Sequence, residues 1–451
     1  MIANATGEAV VIGAMMQDAG IIDRVADIVA PDDFSDPLLS RMFRAARDCH
    51  ATGRASNAVA LNNMFEGDEQ YEAAGGRRLI AEMSGNSIAL IGAVDLAKQV
   101  ADLARRRRMS EGLTEAIEMA ADQSVTLADT VDHADAALAS AAETSASIAH
   151  LTGAGCIDAL LGQLASKDRG VTCKLIPPMD DLLGGARRKQ MIILAARPGM
   201  GKTAVALSYS IGAAMNGYGV LYISLEMSGA ELGARMAADL CFNGQGGVPF
   251  ANIINQRLSD GDYERLKRAR DMSADLPMEV IDAGSLSVAR LNVIIRRQAR
   301  KFAARGDRLD LVVVDYLQLL SADKQKNAYE AVSAISRALK AMAKEHDIAI
   351  MALAQLSREV EKRAGCRPQL SDLRDSGQIE QDADTVMFLL RNEYYLRKEE
   401  PEMTSPDRIK WEQAMEQHVG KIEFICAKRR NGETGKALGA FHGAYQAVRG
   451  L

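Results

Sequence analysis

The stretch ARPGMGKTA, residues 196–204, constrains the fold of this chain more than any other part of its sequence. The apolar run MIILA precedes it and the helix-forming run VALSYSIGAAMN follows it. This is the strand, loop and helix context of a phosphate-binding loop, in which glycines let the backbone amides surround the phosphates. The positive end of the helix dipole adds to the attraction. The sequence therefore predicts a nucleotide-binding α/β domain.

Chemical roles can be assigned within this loop. Lys202 can neutralise the β- and γ-phosphates, and Thr203 can ligate Mg²⁺. The first glycine of the general pattern is replaced by Ala196, so the formal match is incomplete and a chance Gly-rich turn is the alternative. We predict that ATP with Mg²⁺ contacts the loop residues Arg197, Pro198, Gly199, Met200, Gly201, Lys202, Thr203 and Ala204.

Apolar runs alternate with helical stretches throughout the C-terminal part of the chain. They are MIILAAR, GVLYISLE, LDLVVVDYLQLL, IAIMALAQL, DTVMFLLR and KIEFICAKR. Continuous apolar strands separated by helices indicate a mostly parallel sheet that is covered on both faces.

Two acids and one amide follow these predicted strands. Asp315 closes LDLVVVD, and we predict that it organises Mg²⁺ and so contacts the nucleotide; a strand-terminal cap is the alternative. Glu226 follows GVLYISL and is the predicted general base for the attacking water, unless it caps the next helix. Gln355 follows IAIMALA, where its side-chain amide can form a hydrogen bond to the γ-phosphate or to a water; a turn hydrogen bond is the alternative.

The N-terminal part is Ala-rich and Met-rich, with apolar residues three and four apart, which predicts an all-α domain over 1–145. Residues 94–121 predict one long helix or a helical hairpin. This segment carries four consecutive arginines at 105–108. We interpret them as a solvated face with acidic neighbours, and DNA binding is the alternative.

A small-residue stretch over 143–155 predicts a linker, and an amphipathic helix follows it. The apolar face of that helix consists of Ile157, Leu160, Leu161 and Leu164. Packing within its own chain and docking onto a neighbouring subunit both stay open. The predicted organisation is thus 1–145 helical, 146–170 linker with helix, and 171–451 α/β.

Charge and cysteine content limit the class of protein. With 54 basic and 60 acidic residues the net charge is −6, so any nucleic-acid contact requires a local basic lining. The six cysteines are far apart, which favours a reduced compartment. No signal peptide or membrane-spanning run is visible, and we expect a soluble, cytoplasmic protein.

Several motifs together resemble the DnaB-type replicative helicases of hexameric superfamily 4. They are ARPGMGKTA, SLEMS, VVVDYLQLL, ALAQLSREVEKR, LSDLRDSGQIEQDADTVMFL and AKRRNGETG, in that order over about 260 residues. The helical N-terminal region, with its APDDF, is similar to that family's N-terminal domain but diverges more, as in a phage or prophage version. The resemblance implies a RecA-like motor domain, a homohexameric ring, and primase and loader contacts through the N-terminal domain.

The resemblance also implies roles for individual residues. It supports Glu226 as catalytic base and Gln355 as γ-phosphate sensor. In AKRRNG, Lys428 and Arg430 match the basic pair that such helicases insert into a neighbour's site, Arg430 being the finger. A guanidinium supplied in trans stabilises transition-state charge.

The family's grip on single-stranded DNA corresponds to the segment DLRDSGQ in this chain. The matching positions are Arg374, Asp375 and Gly377, and such a grip uses charge and backbone amides on successive phosphates. A polar loop leading into a strand is the alternative.

The implied function is ATP-driven translocation on single-stranded DNA and unwinding of forked DNA, with 5′ to 3′ polarity. Two other functions are open: a RadA-like recombination or repair ATPase, and a replication assembly module that binds ATP without hydrolysing it. The RadA-like alternative is disfavoured by the missing N-terminal zinc cysteines. Ala354, Arg429 and Glu433 depart from residues usual in the family, but none of them removes a reactive group.

Overall fold

The computed structural model describes residues 3–85, 89–142, 152–166, 170–321, 328–373 and 377–451. Its contacts divide the chain into two compact units, Met1–Leu161 and Gly162–Leu451. Among the described residues, no helix has the length and apolarity needed to cross a membrane.

The first unit is built from helices around an apolar core that includes Ile12, Met42, Phe43 and Leu61, all fully buried. Asp36 accepts hydrogen bonds at the start of one of these helices from the Leu38 backbone amide, as expected of an N-cap. The helices are α1 (Ala5–Gln17), α2 (Ala19–Ala26), α3 (Pro37–Ala51), α4 (Ala58–Phe65), α5 (Glu69–Ala73), α6 (Arg77–Ser84), α7 (Ala89–Ala121) and α8 (Leu127–Ala142). The predicted all-α region is confirmed.

The arginine run at 105–108 lies within the single helix α7, which pairs with α8 as a helical hairpin. Arg106 forms an ion pair with Asp102 at 2.8 Å, and Arg108 forms one with Asp33 at 3.0 Å. Arg107 donates to the Asp33 carbonyl. At least three of these arginines therefore have partners within the unit.

The predicted linker falls mainly on residues 143–151, which lie outside the described residues. Its last residues, from Gly153, are already helical, because α9 spans Gly153–Ser166. The apolar face predicted for this helix is exposed: Ile157 by 59%, Leu160 by 51%, Leu161 by 56% and Leu164 by 64%.

The second unit is an α/β domain. Its helices are α10 (Pro177–Leu183), α11 (Lys202–Met215), α12 (Gly229–Cys241), α13 (Phe250–Ile254), α14 (Asp260–Ala274), α15 (Val288–Ala304), α16 (Ala328–Glu345), α17 (Gly377–Asp382), α18 (Asn392–Lys398) and α19 (Arg408–His418). Its strands are β1 (Met191–Ala196), β2 (Gly219–Ser224), β3 (Met278–Asp282), β4 (Leu286–Ser287), β5 (Leu309–Asp315), β6 (Leu320–Ser321), β7 (Ala349–Gln355), β8 (Thr385–Leu390), β9 (Lys421–Arg429), β10 (Gly435–His442) and β11 (Ala447–Gly450).

The main sheet has the strand order β11-β10-β9-β8-β1-β7-β5-β2-β3. The strands from β8 to β3 run parallel, whereas β9, β10 and β11 pair antiparallel. The residues of β1, β2, β5 and β8 are buried throughout, because apolar clusters cover both faces of the sheet. The predicted mostly parallel sheet is confirmed, and its carboxyl edge is the natural place for a ligand.

Candidate nucleotide site

The loop between β1 and α11 is held between two aromatic rings. Gly199 and Gly201 have φ angles of +84° and +87°, which residues with a side chain rarely adopt. A Cβ atom at Gly199 would lie 2.7 Å from the Tyr394 ring, and one at Gly201 would lie 2.5 Å from the Phe441 ring. Both positions therefore require glycine for two reasons: the backbone conformation, and the lack of space for a side chain. Ala196, by contrast, is the last residue of β1 and accommodates its methyl group there.

Lys202 is the first residue of α11 and faces two acids. Burial lowers the pKa of its ammonium group, while the carboxylates of Asp315 and Glu226 act to raise it. Its Nζ also lies 4.6 Å from the centre of the Tyr316 ring. A cation at a helix N-terminus, in a partly desolvated position beside acids, is suited to a phosphate chain.

The carboxyl group of Asp315 fits a magnesium ion. Asp315 ends β5 and is 2% exposed. One carboxylate oxygen accepts from the Tyr222 hydroxyl at 2.8 Å. The other is buried and has no hydrogen-bond partner in the part of the chain that the structure describes. A buried orphan oxygen is costly, and a cation held jointly with the Thr203 hydroxyl would satisfy it.

Glu226 lies two residues beyond the end of β2 and is exposed to the cavity. The cap of the following helix α12 is supplied by Ser228, which forms a capping box with Glu231. The alternative role of Glu226 as a helix cap is therefore taken by other residues. Within the described ranges no hydrogen bond or ion pair engages the Glu226 carboxylate, which leaves it free to accept a proton from water.

Gln355 is the last residue of β7 and is paired with Ala196, the residue that ends β1. Its backbone carbonyl accepts a hydrogen bond from the side-chain amide of Gln318 at 3.4 Å. Its side chain lines the same cavity as Lys202 and Glu226. The amide is therefore placed beside the nucleotide loop, where either a phosphate oxygen or a water can be bound.

These side chains surround a cavity of about 470 Å³, within the size range of small-molecule sites. Sequence reasoning missed five of its lining residues: Arg235, Arg391, Phe441, Gly443 and Gln446. The Arg391 guanidinium lies 3.8 Å from the centre of the Phe441 ring, and Arg235 donates to Gln446. Arg391 directly follows β8, so its position at the sheet's carboxyl edge was a usable signal.

Lys428 and Arg430 lie away from this cavity. The Arg430 amide donates to the Asp384 carbonyl at 2.8 Å, level with the start of β1. The nucleotide loop begins five residues later along that strand, or about 16 Å away. The Lys428 and Arg430 side chains donate to carbonyls of α17 at Glu380 and Gln381, respectively. Burial, and then the charge of Arg430, lower the pKa of Lys428.

Of the residues predicted to grip DNA, Arg374 and Asp375 lie outside the described residues. Gly377 is the first residue of α17 and is exposed. The segment leading to them ends at Leu373, which is buried in the domain core.

Known proteins and family models match both units of this chain. The model of the DnaB-like helicase C terminal domain matches residues 170–449, and that of the DnaB-like helicase N terminal domain matches residues 2–102. The chain is 30% identical to a replicative DNA helicase DnaB of Rickettsia conorii, over 96% of this chain and 90% of that protein. The corresponding protein of Geobacillus stearothermophilus is also 30% identical, over 96% and 91%.

Solved structures give the same result. A structure described as that of a DnaB-like replicative helicase and its interactions with primase has a TM-score of 0.71 and 26% identity, covering 99% of this chain and all of that one. A second structure, described as an ATPase domain, has a TM-score of 0.58 and 32% identity, covering 67% of this chain and all of that domain.

Proposed function

This chain belongs to the DnaB family of replicative DNA helicases, and on that premise we propose that its own site couples ATP hydrolysis to movement on single-stranded DNA and separation of a fork. The observation that carries the proposal is one cavity that joins Lys202, Thr203, Glu226 and Gln355 at the sheet's carboxyl edge. Asp315 lies close enough to Lys202 for their charges to interact. Groups suited to phosphate binding, metal ligation and proton transfer thus lie near one another, which supports the proposal.

Each residue then has a separate task in hydrolysis. The loop amides and Lys202 bind the phosphates, and Gln355 orients the γ-phosphate or the attacking water. Glu226 accepts the proton of that water. Thr203 and Asp315 would hold Mg²⁺, which neutralises phosphate charge when bound. The side chain of Glu226 has no competing partner in the described residues, so it can turn towards the water without breaking a bond.

The nucleotide base has a candidate platform in Arg391 and Phe441. The guanidinium already lies over the ring at the cavity wall, and a purine can stack on either planar group. We propose that this pair holds the base of ATP.

Replacing Arg391 by alanine should weaken ADP binding about 5- to 150-fold, because stacking on one base contributes about 1–3 kcal/mol. Isothermal titration calorimetry measures this directly. Inorganic triphosphate, which has no base, should bind both proteins alike. Arg397→Ala is a matched control, because Arg397 pairs with the same acid, Glu393, but does not line the cavity. An equal loss for triphosphate and ADP would contradict the base assignment.

A ring of six subunits accounts for the position of Lys428 and Arg430. Along the sheet, Arg430 is about 16 Å and Lys428 about 10 Å from their own nucleotide loop, and we propose that they act on a neighbour's ATP. The exposed apolar face of α9 supports the same assembly, since four large apolar side chains on one helix require a surface to bury against. We propose docking onto the adjacent subunit.

Single-stranded DNA is the proposed substrate of the ring's channel, gripped through Arg374, Asp375 and Gly377. We also propose that the N-terminal unit carries the contacts to primase and to a loader, and that the protein acts in the cytoplasm. The support for primase is that the structural neighbour covering 99% of this chain is described with that partner. The domain limits 1–145, 146–170 and 171–451 stay predictions.

The function is tested with purified protein, Mg²⁺ and ATP on a labelled fork. We expect hydrolysis that single-stranded DNA stimulates, and unwinding that requires a 5′ tail. A non-hydrolysable ATP analogue should support binding without unwinding. Branch migration without fork unwinding would favour a RadA-like ATPase, and ATP binding without any turnover would favour an assembly module.

A further inference from the structure

The guanidinium of Arg197, the first residue of the nucleotide loop, is held by residues that follow β7. Its Nε donates to Glu361 Oε1 at 2.9 Å, and a terminal nitrogen donates to the Leu356 carbonyl at 2.9 Å. The Arg197 side chain is only 9% exposed, and that of Glu361 is 37% exposed. Charge-assisted bonds to a planar guanidinium fix its direction, so the start of the nucleotide loop depends on where Glu361 stands.

Residues 356–373, here called the connecting segment, are closed on themselves by a second ion pair. Arg363 binds both oxygens of Asp372, at 2.9 and 3.0 Å. Asp372 is 3% exposed and accepts from the Gln369 amide at 2.7 Å, and its carbonyl accepts from the Ser357 amide at 3.0 Å. The Ser357–Asp372 backbone bond joins the two ends of this segment, and the bidentate pair fixes its middle to the same buried carboxylate.

The connecting segment lies between two sites with separate roles. It begins immediately after Gln355, the candidate γ-phosphate sensor, and the Leu356 amide donates to the Ala196 carbonyl of β1 at 3.2 Å. It ends immediately before residue 374, where the proposed DNA contacts begin. Val360 and Leu373 anchor it in the core. The connecting segment therefore contacts the nucleotide loop at one end and leads into the proposed DNA contacts at the other.

We infer that Glu361 is a positioning residue that transmits DNA occupancy to the ATP site through its ion pair with Arg197. The inference rests on the proposed function, because it assigns the route by which DNA stimulates hydrolysis. DNA bound after Leu373 fixes the connecting segment, and Glu361 then fixes Arg197 and the loop that holds the phosphates. Coupling of this kind works equally in the opposite direction, so bound nucleotide must also change the affinity for DNA.

Glu361→Gln tests this role, because the amide keeps the size of the side chain and an acceptor oxygen but removes the charge. We expect the ratio of DNA-stimulated to basal ATP turnover to fall about fivefold or more, whatever change the variant makes to the basal rate itself. The matched control is Glu359→Gln, the same chemical change two residues away at a position paired with Lys362. It should keep the full stimulation.

A binding measurement separates coupling from simple bracing of the fold. In the wild type, a non-hydrolysable ATP analogue should change the dissociation constant for a fluorescent single strand. In Glu361→Gln this ratio should approach one, while DNA affinity without nucleotide is unchanged. Combining Arg197→Gln with Glu361→Gln should lower the coupling no further than Glu361→Gln alone, since both variants remove one interaction.

Three results overturn the inference. Full DNA stimulation in Glu361→Gln would exclude the route, and so would an additive loss in the double variant. An equal fall of basal and stimulated turnover, with the ratio kept, would show that Glu361 only braces the fold. A wild type that hydrolyses ATP without any response to DNA is a different failure, since it removes the proposed function and the inference with it.

Discussion

Arg430→Ala should reduce DNA-stimulated ATP turnover by about 10³-fold or more, in line with the effect of arginine fingers elsewhere. Nucleotide affinity should stay close to that of the wild type, because Arg430 contacts Gln381 and Asp384 in its own chain rather than the cavity. Steady-state turnover and ADP titration measure the two quantities. The matched control is Arg429→Ala, which removes the adjacent cation; Arg429 lies against Gly184. Turnover should stay within about tenfold of the wild-type rate, because this variant loses no contact to the transition state.

Mixed rings decide whether Arg430 acts across subunits. Arg430→Ala subunits keep Lys202, and Lys202→Ala subunits keep the finger, so each protein alone should be inactive. In an equal random mixture, about a quarter of the head-to-tail interfaces combine an intact loop with an intact finger. Some hydrolysis should therefore return on mixing. No recovery in verified mixed hexamers would place the finger within its own chain.

Glu226→Gln should lower the rate of hydrolysis by about 10²- to 10⁴-fold, the usual contribution of a positioned general base. The change is nearly isosteric, and the Glu226 carboxylate has no hydrogen bond to lose within the described ranges. ATP binding should therefore persist, and the variant should retain unhydrolysed ATP in a single-turnover experiment.

Glu231→Gln provides the comparison for Glu226, because it lies five residues further along the same stretch but serves the capping box of α12. Loss of its charge should cost about 1 kcal/mol of stability at most and leave the rate nearly unchanged. If Glu226→Gln hydrolyses ATP at close to the wild-type rate, another group must be the base.

The strands were predictable from sequence, but their order was not. Runs such as MIILAA and LDLVVVD are apolar throughout because helices cover both faces of the sheet, and that pattern is local. The placement of β1 between β7 and β8 depends on pairings of residues more than 150 positions apart, such as Ile192 with Met351. Apolar periodicity contains no information on such pairings.

In the candidate site, too, some features could be predicted from the sequence and others depend on the folded structure. Glu226, Asp315 and Gln355 come together with Lys202 because they follow parallel strands whose carboxyl ends share one edge. Their placement was therefore predictable, whereas their roles stay predictions. Phe441 follows no such rule, since it lies on an antiparallel strand at the far end of the sequence. Its contact with Gly201 is visible only in the folded domain.

That contact has a consequence for biosynthesis. The wall behind Gly201 is Phe441, and the neighbouring strand β11 is tied to α11 by the Val448 amide, which donates to the Ser208 hydroxyl at 3.0 Å. A ribosome makes the nucleotide loop more than two hundred residues before it makes this wall. A nascent chain should therefore bind ATP more weakly until β10 and β11 have emerged, because part of the cavity wall is missing until then.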